Sequence, residues 1–173
     1  MNKIAKFHKV SFERFKRDFL DTFFDGEDAI EDIHIKEIYD SIKLPKRATT
    51  GSAGYDFFTP IQIDLKPNET IKIPTGIRVQ IDDGWVLKCY PRSGLGFKYR
   101  LQLNNTVGII DSDYSYSDNE GHIFAKITNR TNESKSVRIN AGEGFMQGIF
   151  VQYGITVDDE VTDIRNGGFG STT

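Results

Sequence analysis

From Leu44 onward the chain alternates apolar and polar residues in short runs separated by turn residues, a rhythm that admits few folds. Ile61, Ile63 and Leu65 alternate before a Pro67-Asn68 turn, and Ile77, Val79 and Ile81 alternate before Asp82-Asp83-Gly84. Trp85, Leu87 and Cys89 share one face of the next run. Ile123, Ala125 and Ile127, then Val137 and Ile139, then Ile149 and Val151 mark three more. A period of two puts alternate side chains on one face of a strand, so many short strands at near-regular spacing predict a β-sandwich or jelly-roll barrel. No internal repeat and no linker divides residues 45–160.

Before Leu44 the texture differs. Phe12, Phe15, Phe19, Leu20 and Phe23 recur at helical spacing, predicting a helix from about Val10 to Phe24. Ser11 can cap it, Glu13 suits its first turn, and Asp25-Gly26 ends it. Residues 26–41 read either as a second short helix or as an entering strand. The chain closes on "RNGGFGSTT", glycines and small hydroxyls around one aromatic, too flexible to hold a fixed shape unaided. The domain expectation is therefore a helical extension over 1–40, a β-rich unit over 41–164 and a glycine-rich arm over 165–173.

Composition narrows the function classes. A hydrophobic share of 38% suits a modest core, or one completed by association with other copies. No run approaches the roughly 18 apolar residues of a membrane span, and no apolar leader opens the chain. A single cysteine, Cys89, allows no internal disulfide and fits a reducing cytoplasm. His8, His34 and His122 are scattered without zinc spacing, so any metal would be bound by oxygen. A net charge of −3 argues against broad nucleic-acid binding; a polyphosphate would need a few local cations and backbone amides.

Five segments in order carry more information than any one of them. "GSAGYDFF" (51–58), "YPRSGLGF" (90–97), "NNTVGIIDSDY" (104–114), "AGEGFMQGIF" (141–150) and "RNGGFGST" (165–172) resemble the five ordered motifs of the trimeric dUTPase family. The resemblance runs from about Leu44 to the end of the chain, and "LPKRAT" before the first motif looks like the bacterial and phage branch. It implies a mainly β, jelly-roll fold, a homotrimer, and hydrolysis of dUTP to dUMP and pyrophosphate with Mg²⁺. Such an activity keeps uracil out of DNA and supplies dUMP for thymidylate synthesis.

Splitting a phosphoanhydride needs a positioned water, a base for its proton and compensation of phosphate charge. Asp111 follows the apolar Val107, Ile109 and Ile110 and precedes a polar loop, a good place for a held carboxylate. Locally it reads as well as a strand-end turn residue; the resemblance makes it the base that activates water against the α-phosphorus. Asp113 suits the structural job. Arg92, Ser93 and Gly94 open a helix or turn after a strand, where backbone N–H groups and a hydroxyl can meet phosphate oxygens. The resemblance assigns them the α- and β-phosphates, and assigns Asp56 a water in the shell of an Mg²⁺ held mainly by the triphosphate.

Further roles come from the same resemblance. Asn105 reads uracil, and the main chain of Gly108, Ile109 and Ile110 lies along base and sugar. Phe124 adds main-chain contacts, and Tyr114 packs beneath deoxyribose and excludes a 2′-hydroxyl. Gln147 and Arg165 reach phosphate, Arg165 the γ-phosphate. Phe169 stacks on uracil, while Gly170, Ser171 and Thr172 wrap the triphosphate as a closing arm. Phosphate contacts, uracil hairpin and arm would come from three different subunits.

The chain also departs from the family pattern. Gly144, Phe145 and Met146 stand where arginine, isoleucine and alanine are common, and Arg165 lies one residue closer to the glycines than in many members. Residues 115–120, from Ser115 to Glu120 ("SYSDNE"), replace a single residue. This polar insertion reads either as a solvated hairpin tip or as a docking site for a regulatory protein, with Tyr116 as anchor. Two rival functions follow: a dCTP deaminase of the same fold, and a nucleotide-gated regulatory binding protein.

Overall fold

The computed structural model describes residues 2–26 and 30–167. It opens with a strand, β1 (Ala5–Lys9), then helices α1 (Phe12–Phe23) and α2 (Asp32–Ser41). Eight strands follow in short steps: β2 (Lys46–Arg47), β3 (Tyr55–Phe58), β4 (Ile63–Leu65), β5 (Thr70–Pro74), β6 (Ile77–Ile81), β7 (Trp85–Pro91), then, after helix α3 (Ser93–Tyr99), β8 (Leu101–Leu103) and β9 (Gly108–Ile110). A 3-10 turn at Ser112–Tyr116 leads to β10 (Phe124–Asn129), β11 (Val137–Ile139) and β12 (Gly144–Gln152). The molecule is mainly β and jelly-roll-like.

Among the described residues the strands form four separate antiparallel sheets. The widest runs β2-β3-β12-β7-β9; β5-β10-β8, β11-β4 and β1-β6 complete the set. The expected barrel is thus a wrapped set of ladders, with no closed ring of paired strands among the described residues. Alternation holds at most positions where the sequence shows it: Ile63, Leu65, Ile77, Val79, Ile81, Leu87, Cys89, Ala125, Ile127, Val137 and Ile139 are buried, while Ile61 and Trp85 are half-buried and Val86 is buried beside Leu87. It fails on β12, where Phe145 and Met146 are both buried although adjacent. The pairing register shifts between Gly144 and Met146, and a bulge of this kind re-aims the following side chains. Ile149 and Val151 consequently lie half-buried outside the core.

Helix α1 forms as its sequence dictates. The Ser11 hydroxyl accepts from the Arg14 N–H at 3.1 Å, satisfying one of the unpaired donors of the first turn. Its far end turns through Asp25 and Gly26, both at positive φ. Phe15, Phe19 and Leu20 face inward and join Ile35 of α2 in one core with the strands. The undecided segment is helical from Asp32 to Ser41. The extension, expected to be helical, also carries a strand. β1 pairs with β6 from Ala5↔Ile81 to Lys9↔Ile77, and Phe7 meets the rings of Tyr55, Phe57 and Phe150. No helix among the described residues is long and apolar enough to cross a membrane.

Candidate active site

Strand β7 is the spine of the site. On one side β9 pairs with it, setting Gly108 against Cys89 and Ile110 against Leu87. A Cβ on Gly108 would stand 3.1 Å from the Cys89 Cβ, so a side chain there would push the hairpin off by a few tenths of an ångström. Burial pushes the Cys89 thiol up to about 12, so it stays protonated and packs without nucleophilic chemistry.

Between this hairpin and β10 lie two adjoining cavities. The first, of about 390 Å³, is lined by Asn105, Gly108, Ile110, Phe124 and Met146 among others. The second, of about 300 Å³, shares Asn105, Gly108, Ile110, Ile123 and Phe124 and adds Ile109, Asp111, Tyr114 and Arg165. An apolar slot edged by an amide and exposed backbone opens beside a carboxylate and an aromatic ring. Both volumes are in the range of small-molecule sites.

Tyr114 is buried, and its ring walls the second cavity. Its hydroxyl donates to the His122 carbonyl at 2.8 Å and accepts from Asn119 Nδ2 at 2.9 Å. Burial raises its pKa, outweighing the opposing Asn119 hydrogen bond and the nearby Arg165 charge, so the phenol stays neutral. Asp111 ends β9's loop as the residue before the 3-10 turn. Its Oδ2 accepts from Arg165 Nη2 at 2.6 Å, while Asp113 accepts from Arg165 Nε at 2.8 Å. Arg165, expected to meet phosphate, is thus placed against the carboxylates of its own chain. Two anions within reach of one guanidinium make charge-assisted hydrogen bonds, shorter and stronger than neutral ones. The guanidinium carbon also stands 5.9 Å from the Tyr114 ring centre.

The remaining expected residues gather on the other side of β7. Gln147 of β12 pairs with Asp56 of β3 and Tyr90 of β7. A Cβ on Gly54 would come within 2.7 Å of Gln147 Oε1, so the glycine leaves the amide room. Arg92 Nε lies 3.4 Å from Asp56 Oδ1, and Arg92 Nη1 donates to the Gly144 carbonyl at 3.3 Å. A Cβ at residue 144 would stand 2.9 Å from Arg92 Nη1, so a side chain there would make the guanidinium shift. Ser93 and Gly94 form the exposed first turn of α3, where backbone N–H groups have no partner within the helix. Neither cavity is lined by Asp56, Arg92, Ser93, Gly94 or Gln147. Phe169, Gly170, Ser171 and Thr172 lie outside the described residues.

Sequence reasoning missed the surroundings of Tyr114. The insertion is less solvated than its composition suggests: Ser115 and Ser117 are buried, and Glu120 accepts from the Ser11 N–H and hydroxyl at 2.8 and 2.6 Å. Tyr116 stays exposed. Asp18, on the extension helix, meets His122. No local signal links residue 18 with residue 122; only an unplaced histidine hinted at it.

A family model described as dUTPase matches residues 40–173. The deoxyuridine 5′-triphosphate nucleotidohydrolase of Lactococcus lactis is 42% identical over 134 residues, covering 76% of this chain and 88% of the relative. The crystal structure of dUTPase from Streptococcus mutans superposes with a TM-score of 0.59 at 36% identity, over 69% of this chain and 91% of that one. A dUTPase of Staphylococcus bacteriophage 80alpha shares the fold across 95% of this chain and all of its own, with a TM-score of 0.62 at 18% identity. With these matches spanning both cavities and the β3–β12–β7 edge, the chain belongs to the dUTPase family.

Proposed function

We propose that the protein hydrolyses dUTP to dUMP and pyrophosphate, with Asp111 as the base that takes a proton from the attacking water. The observation that carries this reading is the pair of joined cavities, which sets Asp111 beside Tyr114 next to a slot edged by Asn105 and the Gly108–Ile110 backbone. Uracil in the slot would hydrogen-bond to Asn105 and main chain, and the sugar would lie over the Tyr114 ring. The α-phosphorus would then stand near the Asp111 carboxylate. The family match favours this triphosphatase over a deaminase of the same fold.

The phosphate-side residues belong to a second cluster around Arg92 and Gln147. Their separation from the cavities suits a homotrimer in which one subunit supplies the phosphate edge and another the uracil hairpin. Arg165 would leave the carboxylates for the γ-phosphate as Phe169, Gly170, Ser171 and Thr172 close over the nucleotide. Asp56 brings a carboxylate to the phosphate edge, 3.4 Å from Arg92 Nε, and no cluster of three metal-ligating side chains occurs among the described residues. Such a set fits Mg²⁺ carried chiefly by the triphosphate, with Asp56 reaching it through water. The ion would supply charge compensation on the phosphate oxygens.

Asp111→Asn tests the reading. It should keep dUTP binding and lower kcat by roughly 10²–10⁴-fold, the range for loss of a general base. Near-normal pyrophosphate release from this variant removes Asp111 from the role.

A further inference from the structure

Tyr114 is gripped from behind by residues that touch neither cavity. A steric gate discriminates only if it cannot yield, and a ring free to shift on the order of 1 Å would admit a 2′-hydroxyl at little cost. Here the phenol oxygen is held twice, by the His122 carbonyl and the Asn119 amide. Asn119 is itself fixed, since its Oδ1 accepts from the Gly121 N–H at 3.1 Å. His122 is fully buried, and its ring is clamped at both nitrogens. Nε2 accepts from the Gly76 N–H at 2.8 Å, which leaves the proton on Nδ1, 2.5 Å from Asp18 Oδ2.

Backbone packing adds to the grip. Gly121 sits at φ +70°, where a Cβ would come within 2.7 Å of both the Tyr114 carbonyl oxygen and the Ser115 Cα. The turn therefore presses directly on the main chain of the tyrosine. The whole assembly is tied to α1: Glu120 holds the Ser11 N–H and hydroxyl, and Arg14 Nη2 donates to the Asp118 carbonyl at 2.9 Å. Glu120 does for the helix start what a third-position glutamate does in a capping box, from 109 residues away.

We infer that Asp18, Asn119 and His122 are positioning residues that immobilise Tyr114, so that the N-terminal helix and the insertion together set discrimination between deoxyribo- and ribonucleoside triphosphates. This rests on the reading that Tyr114 lies beneath the sugar. None of the three lines either cavity, so each acts through the tyrosine.

The test compares kcat/KM for dUTP and UTP in the full-length protein and in Asn119→Ala, Asp18→Ala, Asp18→Asn and Tyr114→Ala. Asn119→Ala and Asp18→Ala should each lower the dUTP/UTP ratio about three- to thirtyfold, the scale of one or two lost hydrogen bonds. Asp18→Asn, which keeps an acceptor for Nδ1–H, should restore most of the ratio. A purely structural role would lower the melting temperature and leave the ratio alone. If Asp18→Ala does not fold, Asn119→Ala, in a half-buried loop, still decides the matter. A ratio within about twofold of the parent in the alanine variants, while Tyr114→Ala shifts it, overturns the network and spares the gate. An unmoved ratio in Tyr114→Ala overturns the gate and the network with it.

Discussion

Helix α1 near the start of the chain and residues 153–164 near its end each carry large apolar side chains, yet the two sets meet opposite fates. Phe15, Phe19 and Leu20 are buried in the common core, and Phe7 of the preceding strand packs on three aromatic rings. Ile155, Val157, Val161 and Ile164 are exposed, and that stretch holds to the body at few points, among them Tyr153 N–H to the Gly84 carbonyl and Arg165 to Asp111. The front of the chain finishes its folding within one subunit. The back leaves these four side chains open to solvent; in the homotrimer proposed above a neighbouring copy would cover them. Stability should therefore reside at one end and turnover at the other.

The strongest blow to this contrast comes from the arm. Deleting residues 165–173 should cut turnover by about 10³-fold or more, the scale of losing a cationic clamp on transferring phosphates, with the melting temperature nearly unchanged. Mixing arm-less subunits with Asp111→Asn subunits should recover activity, because an intact arm can then close over an intact Asp111 of another chain. No recovery after verified exchange assigns the arm to its own chain, as the Arg165–Asp111 ion pair has it. Next in size, Phe15→Ala at the fully buried front should cost about 3–5 kcal/mol by denaturant unfolding, from lost burial and the cavity left behind. A cost within the error of the measurement would deny the extension its place in the core.

The smallest effect is a pH dependence confined to the front. Burial lowers the His122 pKa and outweighs the hydrogen bond and charge of Asp18; Arg14 lowers it further and Glu120 opposes. Between the depressed folded value and the ordinary imidazole value the unfolded chain binds more protons than the folded one. Stability is then full above about pH 6.5 and falls below it by at most about 1.4 kcal/mol per pH unit. His122→Gln should flatten that slope above the carboxylate range, whereas the arm deletion should keep it. A parent protein with no slope between pH 6.5 and 5 contradicts a neutral buried His122.

How much could be read in advance differs between the same two ends. α1 was legible because its signals are local: a capping serine, a 3.6-residue apolar period and a stop at Asp25-Gly26. β1 was not, since "AKFHK" has one large apolar side chain and its partner β6 lies about seventy residues on. The hairpin of the third motif was legible through that motif, and Asn105, Asp111 and Tyr114 line one cavity. Arg165 was expected at a phosphate because the resemblance assigns it one, whereas within its own chain it meets two carboxylates. The grip on Tyr114 escaped notice because a hydrogen bond between residues 18 and 122 leaves no pattern in either neighbourhood.

The tie between Ser11 and Glu120 also sets an order of events during synthesis. At about 5–20 residues per second, the 109 residues between them emerge over about 5–20 s. α2 arrives early and brings Tyr39 against the rings of Phe12 and Phe15, so a helical pair can shelter part of the nascent apolar face. β6 comes next and captures β1. Only when residues 118–122 leave the ribosome does the final clasp close, and that clasp sits behind the tyrosine. Even then the cavities wait for Phe124 of β10 and Met146 of β12, which emerge later still, so a ribosome paused before residue 118 holds a chain whose cavity wall has not yet set.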